Sequence, residues 1–230
     1  MIEGLRVLAL IPARGGSKGI NNKNIINLCG KPLISYTIDA AKLSKYIDDI
    51  IVSTDNDEIA KVSKYCGAEV PFMRPDVLAQ DNSKTIDAVI HAIETLKSIN
   101  RCYDVLVLLQ PTQPLRTAVD IDNALEHFIK NDKEALVSVS EVNDHPILIR
   151  SIDENNRLVP ILTQNSTIRR QDMPKYYRVD GCIYINNIDE INNNTSFNDN
   201  RCPFIIDKRH AVDIDEISDL VLAKYYIDNM

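Results

Sequence analysis

Short apolar runs rich in β-branched residues recur at 6–11, 49–53, 68–72, 104–109 and 135–139, with amphipathic stretches between them. Runs of this length without polar alternation read as strands buried on both faces. The intervening 32–43, 57–66, 83–99 and 117–131 read as helices. Proline stands in the first turn of the first, an Asp-Asn-Asp turn leads into the second and Gly67 ends it, and hydroxyl caps at Ser83 and Thr117 open the last two. Alternating strands and helices dictate a mainly parallel sheet with helices on both faces. Such sheets bind ligands outside the carboxyl ends of their strands, so chemistry is expected just after Ile11, Ser53 and Leu109.

The rhythm breaks over 141–177, a stretch rich in charge, proline and short apolar pieces. It reads as an excursion, a lid or a dimer arm, within a single domain spanning 1–230. Beyond it 177–186 and 205–213 read as strands, and 215–228 as a closing helix with Ile217, Leu220, Val221 and Tyr225 on one face. The Asn-rich 186–200 reads as a surface connection. A hydrophobic content of 44% over 230 residues is enough for a sizeable core. The net charge of -7 excludes a general nucleic-acid binder, which needs a basic face to displace phosphate counterions. No apolar run is long enough to span a bilayer, and the first residues enter a strand with neither a basic start nor a cleavage site. The five cysteines at 29, 66, 102, 182 and 202 are scattered without a CxxC pair and read as structural, so a cytoplasmic location is expected.

After the first strand comes Pro12-Ala13-Arg14-Gly15-Gly16-Ser17-Lys18-Gly19, which gathers three glycines, a hydroxyl and two cations. Glycine lets backbone N–H groups converge on an anion, and Arg14 and Lys18 supply countercharge for a polyphosphate; the plain alternative is a tight turn with solvated charges. Neither the GxxxxGK[ST] phosphate loop nor the GxGxxG dinucleotide fingerprint is present. Asp213 and Asp215 lie two apart in an extended stretch, so their side chains share a face while Ile214 points inward. Such a pair suits Mg²⁺, which takes few protein oxygens; the alternative is that Asp215 caps the closing helix.

The run LALIPARGGSKGI, followed by NKNI and GKPLISYTI, closely resembles the acylneuraminate cytidylyltransferases, also called CMP-sialic acid synthetases. Met73-Arg74-Pro75 leading to Ser83 and Thr85, LLQPTQPLR at 108–116, RRQDMPKYYRVDGCIY at 169–184 and DIDEISDL at 213–220 extend the resemblance over essentially the whole chain. The related Kdo cytidylyltransferases share the early arginine and lysine but usually differ in the next loop, so the NKN segment favours the branch acting on nine-carbon acidic sugars, the nonulosonates. The resemblance implies a Rossmann-like nucleotide-diphospho-sugar transferase fold, CTP and an acidic sugar as substrates, Mg²⁺ as cofactor, and a homodimer joined through the excursion.

Residue by residue, the resemblance places Ala13, Arg14 and Lys18 around the triphosphate with Lys23 and Asn24 nearby, Lys18 being foremost in catalysis with Arg14 and Asp215. It places Arg74, Ser83 and Thr85 on the cytosine side; read alone, Ser83 and Thr85 are a helix cap and its first turn. Gln110 falls between nucleotide and acceptor. Arg170 and Arg178 are both candidates for the sugar carboxylate, whose planar shape a guanidinium fork matches. Tyr184 packs on the acceptor's substituents or in the core, and Asp180 stands where the family's YRxNG segment has asparagine, which bears on the sugar selected. Asp213 and Asp215 are the implied metal ligands. Three products remain open, the CMP-N-acetylneuraminate, CMP-legionaminate and CMP-pseudaminate types. A silent nucleotide-sugar sensor is the rival from another class, disfavoured because Arg14, Lys18 and both aspartates are retained.

Overall fold

Strand β1 (Val7–Pro12) carries VLALIP, and Val7 to Ile11 have no exposed surface at all. Its alternating side chains serve two core layers. Val7, Ala9 and Ile11 pack with Ile34, Ile38, Leu125 and Phe128 on one face, and Leu8 and Leu10 with Ile86, Val89, Leu96 and Leu106 on the other. The computed structural model describes residues 1–16, 19–142, 144–163, 167 and 169–229. After β1 come a small hairpin, β2 (Asn27–Leu28) and β3 (Lys31–Pro32), then α1 (Leu33–Leu43), β4 (Asp49–Ser53), α2 (Asp57–Cys66), α3 (Thr85–Ser98), β5 (Val105–Leu108) and α4 (Ala118–Lys130). The chain continues through β6 (Leu136–Glu141), a second hairpin of β7 (Arg150–Ile152) and β8 (Leu158–Pro160), β9 (Tyr177–Asn187), β10 (Cys202–Ile205) and α5 (Ile217–Asp228).

Six strands form the main sheet in the order β10-β6-β9-β5-β1-β4. β1 runs parallel to β4 and β5, and β10 parallel to β6, while β9 is antiparallel to both its neighbours. The direction of β9 follows from the excursion: the chain leaves β6 at Glu141 and returns beside it at Tyr177, so no crossover turns it round. The first residues of β9 therefore lie on the edge where β1, β4 and β5 end.

The helix caps follow local chemistry. Asn56 accepts from the Glu58 and Ile59 N–H groups at the start of α2, Gly67 closes it at φ 96°, and Thr117 and Asp120 form a capping box on α4. Ser83 does not cap α3. Lys84 holds the N-cap position, and the Ser83 hydroxyl turns back to the Val77 carbonyl and the Gln80 N–H.

Four other expectations are corrected. The 68–72 run forms only one bridge, Glu69 with Ile51, because Pro71 removes a ladder donor. The last strand is Cys202–Ile205 rather than 205–213, since Asp207 accepts from the Arg209 backbone N–H and side chain and turns the chain out of the sheet. In α5, Ile217, Val221 and Tyr225 are exposed, and the inward residues are Ala223 and partly Leu220, Tyr226 and Ile227. That helix is apolar on both faces, and small Ala223 permits the closer approach. Of the cysteines, Cys182 and Cys202 are buried, but Cys29 and Cys102 are exposed.

Candidate active site

At the carboxyl edge of the sheet a cavity of about 330 Å³ opens over β1, β4 and β5. The loop after β1 forms one wall. Ala13 is fully buried and extends the pairing with β4 through its N–H to the Ser53 carbonyl (2.9 Å), so it supports the cavity without lining it. Arg14 turns outward, donating to the Gln80 carbonyl (2.9 Å) and pairing with Asp81 (3.2 Å). Asn24, almost buried, fixes the Arg14 carbonyl through its amide at 2.9 Å. The Gly15 N–H is committed to Asp55 Oδ1 (2.9 Å). Gly19 has a packing role, since a Cβ there would stand 2.5 Å from the Asp215 carbonyl oxygen. Lys18 lies outside the described residues.

Arg74 is buried beneath the cavity. Its Nε donates to Ser53 Oγ (3.1 Å) and a terminal nitrogen to the Ser53 carbonyl. Burial lowers its guanidinium pKa and the neighbouring Asp55 opposes that shift, while arginine's high intrinsic basicity keeps it charged. Ser83 and Thr85 line the same cavity beside Lys84.

On the far wall, Ile214 is fully buried and donates its N–H to the Thr112 carbonyl (2.8 Å), which turns Asp213 and Asp215 outward together. Partial burial raises the Asp213 carboxyl above its usual range, a Thr112 hydrogen bond opposes this, and the neighbouring Asp215 charge adds to it. Asp215 Oδ1 pairs with Lys23 Nζ at 2.8 Å. The helix-cap alternative does not hold, because the capping box is built by Glu216 and Asp219. Among the described residues no group of three or more metal-type side chains occurs. Two coupled carboxylates still fit a magnesium ion that draws its other ligands from phosphate and water.

Gln110 and Thr85 line this cavity and also a second one of about 470 Å³, walled by Leu108, Tyr184 and the 193–198 segment. The Asn-rich stretch is thus a cavity wall, not merely a surface connection. A third recess, of about 660 Å³, shares Asp213 and Asp215 with the first and brings in Arg178 from β9. Arg170 begins a short 3₁₀ turn, and its side chain lies outside the described portion. Tyr184 is both core and lining, 5% exposed with its hydroxyl donating to Asn198 Oδ1 at 2.7 Å. Sequence reasoning missed Arg116, which is buried and donates to the Cys182 carbonyl (2.6 Å), Thr37 Oγ1 (2.8 Å) and the Gln110 carbonyl (3.4 Å). It ties the Gln110 backbone to β9 and α1; the signal that pointed to it was its place as the last residue of the LLQPTQPLR block.

Asp180 lines none of these three cavities. Its Oδ1 accepts from Ser138 Oγ and the Cys182 N–H, and Oδ2 is sealed from solvent without a well-aligned donor, although the Ser140 hydroxyl is close. Burial raises its pKa, opposed by Ser138, Cys182 and Arg178. The folded protein therefore holds this proton to higher pH than the unfolded chain does, and stability declines as pH rises from the ordinary carboxylate range through the folded-state titration. Asp180→Asn should remove that decline and stabilise the protein at pH 7.5 by about 1–2 kcal/mol, seen as a melting temperature higher by roughly 2–8 °C. A less stable variant across pH 5–8 would instead make the ionised carboxylate a net stabiliser through Arg178.

A cavity ringed by cations and paired carboxylates at the carboxyl edge of a doubly wound sheet defines a nucleotidyltransferase-type α/β protein. The chain belongs to the cytidylyltransferase family, whose model matches residues 8–202. It is 39% identical to the CMP-N,N'-diacetyllegionaminic acid synthase of Legionella pneumophila, over 96% of this chain and 95% of that one. It is 36% identical to the pseudaminic acid cytidylyltransferase of Campylobacter jejuni, over 96% and 95%. Identity to the N-acylneuraminate cytidylyltransferase of Escherichia coli is 33%, over 95% of this chain and 51% of that protein. A CMP-2-keto-3-deoxy-manno-octonic acid synthetase complexed with CTP shares the fold, with a TM-score of 0.72, 16% identity and coverage of 97% and 99%. So does the 4-diphosphocytidyl-2C-methyl-D-erythritol synthase of Anaerococcus prevotii, with a TM-score of 0.66, 15% identity and coverage of 98% and 100%. No helix among the described residues is long and apolar enough to cross a membrane.

Proposed function

We propose that this enzyme transfers CMP from CTP to the anomeric hydroxyl of a nine-carbon acidic sugar, releasing pyrophosphate. The observation that carries the reading is the convergence of Arg14, Lys23, Arg74, Gln110, Asp213 and Asp215 on one cavity that opens, past Gln110, towards a second. Arg14 and Lys23, with Lys18 from the sequence, neutralise the triphosphate. Arg74, Ser83 and Thr85 take the cytosine side. The acceptor lies across Gln110, so that its hydroxyl meets the α-phosphorus in line with the leaving pyrophosphate. Asp213 and Asp215 would hold Mg²⁺, which when bound supplies charge stabilisation for the phosphates. This reading gives the acceptor carboxylate to Arg178, which lines the recess that shares both aspartates with the first cavity.

The names of the relatives at 39% and 36% identity described above favour a legionaminate- or pseudaminate-type acceptor over N-acetylneuraminate. The same reading takes the protein as a cytoplasmic homodimer in which the excursion meets the partner. Exposed Leu148, Ile152, Leu158 and Ile161 on that excursion support a buried contact there. The test is pyrophosphate release from CTP and Mg²⁺ with N,N'-diacetyllegionaminate, pseudaminate, N-acetylneuraminate and Kdo offered separately, and UTP as nucleotide control. Turnover with a nonulosonate and CTP alone is expected; silence with all four acceptors in folded protein would overturn the reading.

A further inference from the structure

The turn that follows β5 is tied down from several sides. Pro111 and Pro114 fix two of its φ angles, and the Gln110 carbonyl accepts from the Gln113 N–H, Arg116 and Thr37 Oγ1, each at 3.4 Å. Gln113 is 1% exposed and donates its side-chain amide to the Asp180 carbonyl on β9. Between Gln110 and Arg116 there is a single hydroxyl, that of Thr112, and Thr112 lines the first cavity together with Asp213 and Asp215.

Thr112 meets the aspartate pair at two points. Its carbonyl accepts the Ile214 N–H at 2.8 Å, and its hydroxyl hydrogen-bonds to the Asp213 carboxylate. The two carboxylates are therefore held differently. Asp215 Oδ1 pairs with the Lys23 ammonium at 2.8 Å, a charge that competes with any cation arriving there. Asp213 is oriented by a neutral donor, which takes one lone-pair site and leaves the rest of the carboxylate free to accept. A donor of this kind aims a ligating carboxylate without repelling the ion, and partners that orient metal ligands are worth about 10- to 100-fold in metal affinity.

We infer that Thr112 is a positioning residue, whose hydroxyl holds the Asp213 carboxylate in the orientation that takes Mg²⁺. This rests on the metal role proposed above for the aspartates and goes further by naming the group that orients one of them. The rigidity of the turn matters here, because a donor on a mobile loop would fix nothing.

The experiment uses the full chain saturated with CTP and given no acceptor, so that no turnover occurs. Mn²⁺ affinity is read from the free-ion electron paramagnetic resonance signal, with the binary Mn²⁺–CTP complex measured separately. Thr112→Val removes the hydroxyl at similar volume and should weaken Mn²⁺ binding about tenfold. Its melting temperature should stay within about 3 °C of wild type. Thr112→Ala, which also lacks the donor, should show the same loss, and Thr112→Ser, which keeps it, should bind within about twofold of wild type. In turnover, Thr112→Val should raise the Mg²⁺ concentration for half-maximal rate about tenfold, while kcat at saturating Mg²⁺ falls by no more than about threefold. In an Asp213→Asn background Thr112→Val should cost no further affinity, because the hydroxyl acts through Asp213. Unchanged Mn²⁺ affinity in folded Thr112→Val, equal losses in the valine and serine variants, or an undiminished loss on top of Asp213→Asn would overturn the assignment while leaving the cytidylyltransferase reading intact. A wild-type chain that holds no Mn²⁺ beside CTP would instead bring down the metal role of the aspartates, and this inference with it.

Discussion

Asp215→Asn should lower kcat for pyrophosphate release by about 10³-fold and raise the Mg²⁺ concentration needed for half-maximal rate, while changing the unfolding free energy measured in urea by no more than roughly 0.5 kcal/mol. The Asp215 side chain is 73% exposed, so little packing is lost. Its amide counterpart still offers Lys23 an oxygen, because the 2.8 Å contact uses Oδ1. What disappears is one of two negative charges that Ile214 holds on the same side of the chain. A group that holds a divalent cation against phosphates acts through that charge, so shape-preserving neutralisation should be nearly as damaging as deletion. A modest loss of rate with an unchanged Mg²⁺ titration would reduce Asp215 to a residue that orients Lys23.

The parallel core of the fold was legible because its strands are buried on both faces and carry no polar interruption. β1, β4 and β5 follow the apolar runs closely, and α2 and α4 begin at side chains that cap them. Periodicity was weakest where an element is apolar on more than one side. α5 satisfies a 3.6-residue repeat with 217, 221 and 225 or with 220, 223 and 227, and only packing around Ala223 chooses between them. The antiparallel direction of β9 depends on where the excursion returns, which no local pattern in its own residues encodes.

The first cavity was legible for a related reason: several of its residues lie in the turns that follow parallel strands, where fold class alone predicts a ligand edge. Arg14, Lys23, Asn24, Arg74, Gln110 and both aspartates lie around one cavity although they come from distant parts of the chain. The second cavity was less legible, because 193–198 is irregular and polar, and a cavity wall of this kind has the composition of an ordinary surface loop. Asp180 illustrates the opposite difficulty. A carboxylate in a functional block reads as a ligand contact, yet Ser138 and the Cys182 N–H turn it inward against β6.

Arg116→Met should destabilise the protein by about 3–5 kcal/mol in urea denaturation, the largest effect expected of any single change considered. Arg116 is 3% exposed, and its fork reaches the Cys182 carbonyl on β9, Thr37 Oγ1 on α1 and the Gln110 carbonyl at the end of β5. Methionine fills much of the volume but takes the shared donor from the Cys182 carbonyl and Thr37 Oγ1 in a region closed to water, while the Gln110 carbonyl keeps the Thr37 hydroxyl and the Gln113 N–H as donors. Arg116→Lys should recover less than half of the loss, since one ammonium cannot reproduce two divergent N–H groups. At a temperature where Arg116→Lys remains folded, the acceptor-sugar KM should rise more than the CTP KM, because the unsecured segment carries Gln110 between the two cavities. A change below about 1 kcal/mol for Arg116→Met would mean that apolar packing offsets the broken hydrogen bonds, as it does where buried ion pairs are replaced by well-fitting hydrophobic residues. In that case Arg116 would hold β5, β9 and α1 in register without contributing net stability, and the KM comparison alone would decide whether it positions Gln110.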